Sequence, residues 1–251
     1  MPAVALPGPL TSTDVAEGIR TRGYALAPGT GFDTGWGADA FPRLVRAYED
    51  LEPDAYLADG GAYRFRRHVR FLHRAADGAV LRPEPPGPYF QSAEVNPFAG
   101  GSPRWFAPAG PEVRDNPFLH RLLLHGASVF SGLAGAEPGR GLDWEIDVHL
   151  VRIRARAEEH GLPSPEGVHR DGFDYIALHL IGRTGVTGGR SIVCDPEGRE
   201  LERPLLAAPM DSLYADDRRI LHGTEPVLVD PAAGRTAGYR DMLLTSYRRT
   251  S

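Results

Sequence analysis

Lysine is absent from this 251-residue chain; all 28 basic residues are arginine. That excludes a lysine Schiff base, a lysine general base and a phosphate-binding loop built on lysine. Cysteine is nearly absent as well. Cys194 stands alone, so no internal disulfide and no thiolate metal cluster can form, and in its strand-like run it reads as a small buried apolar residue. No apolar run approaches the length of a membrane span. The first residues, MPAVALPGPL, have no basic cluster and are broken by prolines, unlike a secretory leader. A cytoplasmic protein is expected. Like charges are not clustered, and a net charge of −5 offers no footprint for nucleic acid.

What is present is ordinary globular material, 41% hydrophobic and 24% charged, enough for one large domain with a real core. The expected division of residues 1–251 is a helical part over 1–60 and a core over 61–251, with an inserted helix near 117–133. Val15 and Ile19 lie four apart ahead of Gly23, a short helix with its stop. Phe41, Leu44, Val45, Tyr48 and Leu51 recur at helical spacing. Asn116 can cap the inserted helix, Pro117 suits its first turn, and Phe118, Leu119, Leu122 and Leu123 form its stripe. YRFRRHVRFLH (63–73) and GPYFQS (87–92) read as strands, and the proline- and glycine-rich stretch 82–111 as a surface loop.

From residue 144 the texture changes. WEIDVHLVRIRA alternates as a half-buried strand does, and EGVHRD, FDYIALHLI, GRSIVCD, DSLYAD, RRILHG and GYRDMLLTSY follow as short strands between turn signals. No helix-forming stretch separates them, which argues against βαβ units. The expected fold is mainly β with N-terminal α-helices: a cupin-like jelly roll.

Nine histidines are candidate ligands, and most read singly as structural. His169 and Asp171 differ. Two apart on an extended chain, they project to one face and can reach a single divalent ion. His222, at a strand end before Gly223, is a candidate third ligand. Two histidines and a carboxylate leave coordination positions open, as non-haem Fe(II) oxygenases require. Arg240, in the last long strand, is costly inside a barrel unless it meets an anion, which a guanidinium grips through paired hydrogen bonds. Asp241 as its partner, or a surface position, is the structural alternative, and Arg235 is a rival anion anchor in a turn.

These residues resemble the signature of Fe(II)/2-oxoglutarate-dependent dioxygenases. More narrowly, the chain is similar to the bacterial free-amino-acid hydroxylases that include L-isoleucine hydroxylases. YFQS (89–92), HLVRIRA (149–155), HRDG (169–172), Gly188-Gly189, LHGTEP (221–226) and YRDMLLTSY (239–247) carry the likeness, with YRFRRHVRF as an arginine-bearing strand. The resemblance implies a double-stranded β-helix binding Fe(II) through His169, Asp171 and His222. It implies 2-oxoglutarate as co-substrate with its distal carboxylate on Arg240, and O2. The reaction implied is hydroxylation of an aliphatic C–H bond of a free L-amino acid or close derivative, with 2-oxoglutarate converted to succinate and CO2. Halogenating relatives lack the carboxylate ligand, so Asp171 favours hydroxylation. One departure is Met242, where many relatives place a serine two residues after the arginine; another hydroxyl is then expected beside Arg240.

Arg66 is the candidate for the substrate carboxylate, ahead of Arg64 and Arg70, against the alternative of a solvated edge strand. Gln91 is a second candidate substrate contact, or else a loop-fixing residue. His149 and Arg152 fall on opposite faces, and His179 reads as a satisfied barrel residue. A metal-dependent cupin isomerase or hydrolase acting on a small molecule would use the same triad and have no need of Arg240.

Overall fold

Strand alternation and helix caps together produce a chain that begins with helix α1 (Pro9–Arg22), strand β1 (Tyr24–Ala27), α2 (Ala40–Arg46) and β2 (Glu52–Pro53). Next come β3 (Arg64–His73), β4 (Leu81–Pro83), α3 (Pro111–Arg114) and α4 (Pro117–Leu133). The remainder is β: β5 (Trp144–Arg156), β6 (Tyr175–Thr184), β7 (Val186–Gly188), β8 (Ser191–Cys194), β9 (Glu200–Glu202), β10 (Ser212–Asp216), β11 (Leu221–Thr224), β12 (Val227–Val229) and β13 (Ala237–Arg249). The structure is a computed structural model that describes residues 9–32, 39–57, 59–95, 100–137 and 141–250. Residues 1–8, most of the proline-broken stretch MPAVALPGPL, lie outside the described residues.

One large sheet runs β1-β10-β6-β13-β5-β3-β2, with β4 also on β3, and its pairings are antiparallel. Packed against it are β11-β8-β9 and β12-β7. Isolated bridges of His169 with His222 and Gly161 with Val227 extend these smaller sheets. The result is a jelly roll. β5 and β13 are buried along most of their length, because the large sheet is covered on both faces. On β5, Trp144, Ile146, Val148 and Leu150 join the core shared with the helices, while Val151 and Ile153 meet Val227 of the small sheet. The strand expected to be half-buried is therefore buried on both faces over most of its length.

Helix α4 seals the outer face. The Asn116 side chain accepts from the backbone N–H of Phe118 and Leu119, and its amide donates to the Ala40 carbonyl, tying α2 to α4. Phe130 stacks on Tyr175 at 4.7 Å and meets Tyr247 edge-on at 4.8 Å. Tyr247 also donates to the Leu123 carbonyl at 3.2 Å. That close approach is possible only because position 126 is glycine; a Cβ there would collide with the Tyr247 hydroxyl.

Three segments differ from the sequence reading. The stretch read as helical, 1–60, also supplies β1 and β2, which extend opposite edges of the large sheet. GPYFQS and EGVHRD form no strand; each makes a single bridge, at Tyr89 and at His169. The supposed surface loop 82–111 turns inward, burying Tyr89, Gln91 and Arg104. Proline and glycine content was the cue for a surface loop, but its polar side chains pair inside: Arg104 with Gln91, and Gln91 with the Asp171 carbonyl.

Candidate active site

The bridge between the two chain segments carrying His169 and His222 sets the site. His169 N–H donates to the His222 carbonyl at 2.8 Å, and His222 N–H returns the bond at 2.9 Å. The rings come to 4.7 Å between centroids. The Asp171 carboxylate lies before them, 3.6 Å from each imidazole Nε2. One donor atom from each residue falls within 4.8 Å of the others. The His169 Nδ1 contact to the Gly167 carbonyl, 3.1 Å, assigns the proton there and leaves Nε2 for the centre. His222 Nε2 is buried with no hydrogen-bond partner. Two imidazoles and a carboxylate converging on one point, with a buried nitrogen unsatisfied, fit a divalent metal. Burial opposes the charge on His169, but Asp171 and then Glu166 raise its pKa to about 9. Burial likewise opposes charge on Asp171, yet the two imidazoles hold it well below the usual carboxylate range.

Asp217, one of two adjacent acids ahead of His222, was missed by sequence reasoning. Its carboxylate accepts from the backbone N–H of Asp171, Gly172 and Phe173 at 3.1, 2.7 and 3.0 Å. It thereby locks the loop that presents Asp171. Burial, and then the Asp171 charge, raise its pKa.

Arg240 lines the same cavity as the triad. It is 2% exposed, its Nε has no partner, and burial followed by repulsion from Arg183 lowers its pKa to about 9. Its rival Arg235 is exposed in the turn, and Asp241 instead pairs with Arg152 on the opposite face. Arg183, also missed, is the cross-strand neighbour of Arg240. It donates to the Gly188 carbonyl at 2.7 Å while its Nη1 stays buried and unpartnered. Gly189, at a φ of +66°, makes room for both guanidiniums: a Cβ there would lie 3.1 Å from Arg240 Cδ and 3.4 Å from Arg183 Nη1. Two adjacent guanidiniums, Arg240 buried and Arg183 half-buried, with no carboxylate bonded to either among the described residues, call for an anion.

Elsewhere in this cavity the alternation of β3 brings Arg64 and Arg66 inward, joined by Arg104. Asp54 sits behind them, accepting from Arg64 Nε at 2.7 Å and lying 3.3 Å from Arg66 Nε. Arg66 also rests over the Phe106 ring at 4.5 Å. The solvated-edge alternative fails for these arginines because the inward-turned loop covers them. Gln91 bridges inside the wall: its oxygen accepts from Arg104 and its nitrogen donates to the Asp171 carbonyl at 2.8 Å. Arg70 is taken up by Asp147 instead. His149 faces the cavity and Arg152 does not. His179 Nδ1 bonds the Ser212 hydroxyl at 2.7 Å, away from the triad, and Cys194 is a free buried thiol.

Fold and site together define a class: jelly-roll enzymes in which two histidines and a carboxylate face an open cavity beside a buried arginine. Within that class the chain belongs to the 2OG-Fe dioxygenase family, whose family model matches residues 45–246. Fe(II), 2-oxoglutarate and O2 are the cofactor and co-substrates this membership brings. The chain is 27% identical to the L-isoleucine-4-hydroxylase of Bacillus thuringiensis, over 81% of each chain. It is 25% identical to the 3(1)-hydroxy-L-isoleucine 4-dioxygenase of Pantoea ananatis, over 94% of this chain and 96% of that protein. Among solved structures, a bsmA homolog from Methylobium petroleophilum PM1 superposes with a TM-score of 0.84 at 32% identity, covering 98% of this chain and 95% of that one. The IDO of Bacillus thuringiensis superposes with a TM-score of 0.76 at 18% identity, covering 96% and 100%, a likeness of fold. The isomerase or hydrolase alternative is not favoured. Among the described residues, no helix is long and apolar enough to cross a membrane.

Proposed function

We propose that this protein is a single-domain, cytoplasmic dioxygenase that hydroxylates an aliphatic C–H bond of a free L-amino acid or close derivative, converting 2-oxoglutarate to succinate and CO2. One observation carries the reading: a single cavity collects the convergent triad, the unpartnered Arg240 and a separate guanidinium cluster. His169, Asp171 and His222 would hold Fe(II), and Arg240 would grip the distal carboxylate of 2-oxoglutarate, with Arg183 reinforcing the local positive potential. Bound there, iron and 2-oxoglutarate supply the oxidising power for the C–H bond.

The protein's part is positioning. Asp217 and Gln91 hold the Asp171 backbone from its N–H and its carbonyl, so the carboxylate stays aimed. Arg66, steadied by Asp54 and Phe106, takes the substrate carboxylate, and Gln91 orients Arg104 beside it. Val151, Leu178 and Leu244 line the cavity between polar groups and keep water from the reacting carbon. A carboxylate at position 171 fills the coordination place that halogenation would need. The names of the two curated relatives, both acting on isoleucine or its hydroxylated form, support an amino-acid substrate.

The test is succinate release from 2-oxoglutarate across a panel of free L-amino acids, with Fe(II) supplied and products examined by mass spectrometry for one added oxygen. Stimulation by at least one aliphatic amino acid is expected. No succinate with any of them, and no visible absorption band on adding Fe(II) and 2-oxoglutarate without oxygen, would overturn the proposal.

A further inference from the structure

His149 lines the active cavity at 4% exposure, and neither of its ring nitrogens has a hydrogen-bond partner among the described residues. The ring is nonetheless held rigidly. It stacks on His68 at 4.5 Å and meets Tyr89 edge-on at 4.7 Å. His68 is itself anchored by its Nε2 to Asp147, and Arg70 grips that carboxylate at 3.1 and 3.2 Å. A leucine or phenylalanine would fill the same space without the desolvation cost of two buried, unsatisfied nitrogens. A polar ring kept at that cost inside a ligand cavity has its partner in the ligand.

The chemistry of that partner follows from its surroundings. The nearby wall is rich in donors: Arg66 and Arg104 offer only N–H groups, suited to a carboxylate. Burial first, and then the charges of His68, Arg66 and Arg104, keep His149 neutral. A neutral imidazole brings an acceptor to this wall, and an ammonium, with three donors, needs one.

We propose that His149 accepts a hydrogen bond from the α-ammonium of the substrate while the guanidinium cluster takes its carboxylate, making His149 the residue that reads the amino group. This rests on the free-amino-acid reading above. Glu166, which also lines the cavity and lies 3.4 Å from His169 Nδ1, is the rival acceptor.

The test is anaerobic titration of the protein loaded with Fe(II) and 2-oxoglutarate, followed by its visible band. L-isoleucine is compared with 3-methylpentanoate, the same molecule without its amino group. Wild type should prefer L-isoleucine by at least about tenfold, a difference of roughly 1.4 kcal/mol. His149→Leu should lose that preference through weaker L-isoleucine binding alone, with 3-methylpentanoate unchanged. His149→Gln, which keeps an acceptor, should restore most of the preference. Equal loss of both probes in His149→Leu, an undiminished preference in it, or loss of preference in Glu166→Leu alone, which removes the rival acceptor, would overturn the proposal. No binding of L-isoleucine or of any other proteinogenic amino acid would instead overturn the free-amino-acid reading, and this inference with it.

Discussion

At the residue scale, His222 and Arg240 share a condition: each is buried with a nitrogen that no group among the described residues satisfies. They should therefore fail differently when removed. His222→Ala takes away one of three donors and should abolish stoichiometric Fe(II) binding, read by metal analysis after gel filtration. Arg240→Ala should retain iron but raise the 2-oxoglutarate KM by about 10–100-fold, the worth of a charge-assisted pair of hydrogen bonds at roughly 1.5–3 kcal/mol. Arg183→Met separates repulsion from recognition. It relieves a cross-strand like-charge pair, so the metal-free protein should be at least as stable in a thermal melt while its 2-oxoglutarate KM rises. A less stable Arg183→Met protein with unchanged KM would assign Arg183 to the fold alone.

The elements show how a site made of loop and strand ends is kept still. Asn116 caps α4 and bonds α2 at once, so Asn116→Ala should cost about 1–2 kcal/mol in denaturant unfolding. Gly126→Ala raises helix propensity by up to about 1 kcal/mol, yet it drives a methyl group into Tyr247, and overpacking of about 1–3 kcal/mol should win. Unfolding midpoints decide the sign. The capped helix was legible beforehand, because Asn-Pro and an apolar stripe act within one turn. The inward fold of 82–111 was not legible, since it is fixed by a partner far along the chain: Gln91, which holds Arg104 within the loop, donates to the Asp171 carbonyl.

For the whole molecule, buried histidines link stability to pH. Burial lowers His179 to about 3 and His125 to about 4, against an unfolded value of about 6.5. Below about 6.5 the unfolded chain takes up protons that the folded chain refuses. The stability these two histidines contribute is therefore complete above that value and falls as the solution is acidified. Near pH 5, His179 alone should cost about 2 kcal/mol. Urea unfolding at about pH 7 and 5 measures the loss, and His179→Gln should flatten the slope while lowering the neutral-pH value.

What the sequence by itself determined is local or periodic: the β-rich second half, the capped helix, and the HxD spacing that sets His169 and Asp171 on one face. The shared face of Arg64 and Arg66 was readable for the same reason, since a strand's two faces are set by its own backbone; whether that face met the cavity or solvent was not. Only the tertiary structure decided which distant groups meet. It brought His222 beside His169 through a backbone bridge, seated Asp217 under the Asp171 loop, and placed Arg183 across from Arg240. It also left His149 unsatisfied in the cavity. Cross-strand register and the closure of one sheet on another arise from burial summed over the whole core. No short stretch of sequence contains that sum.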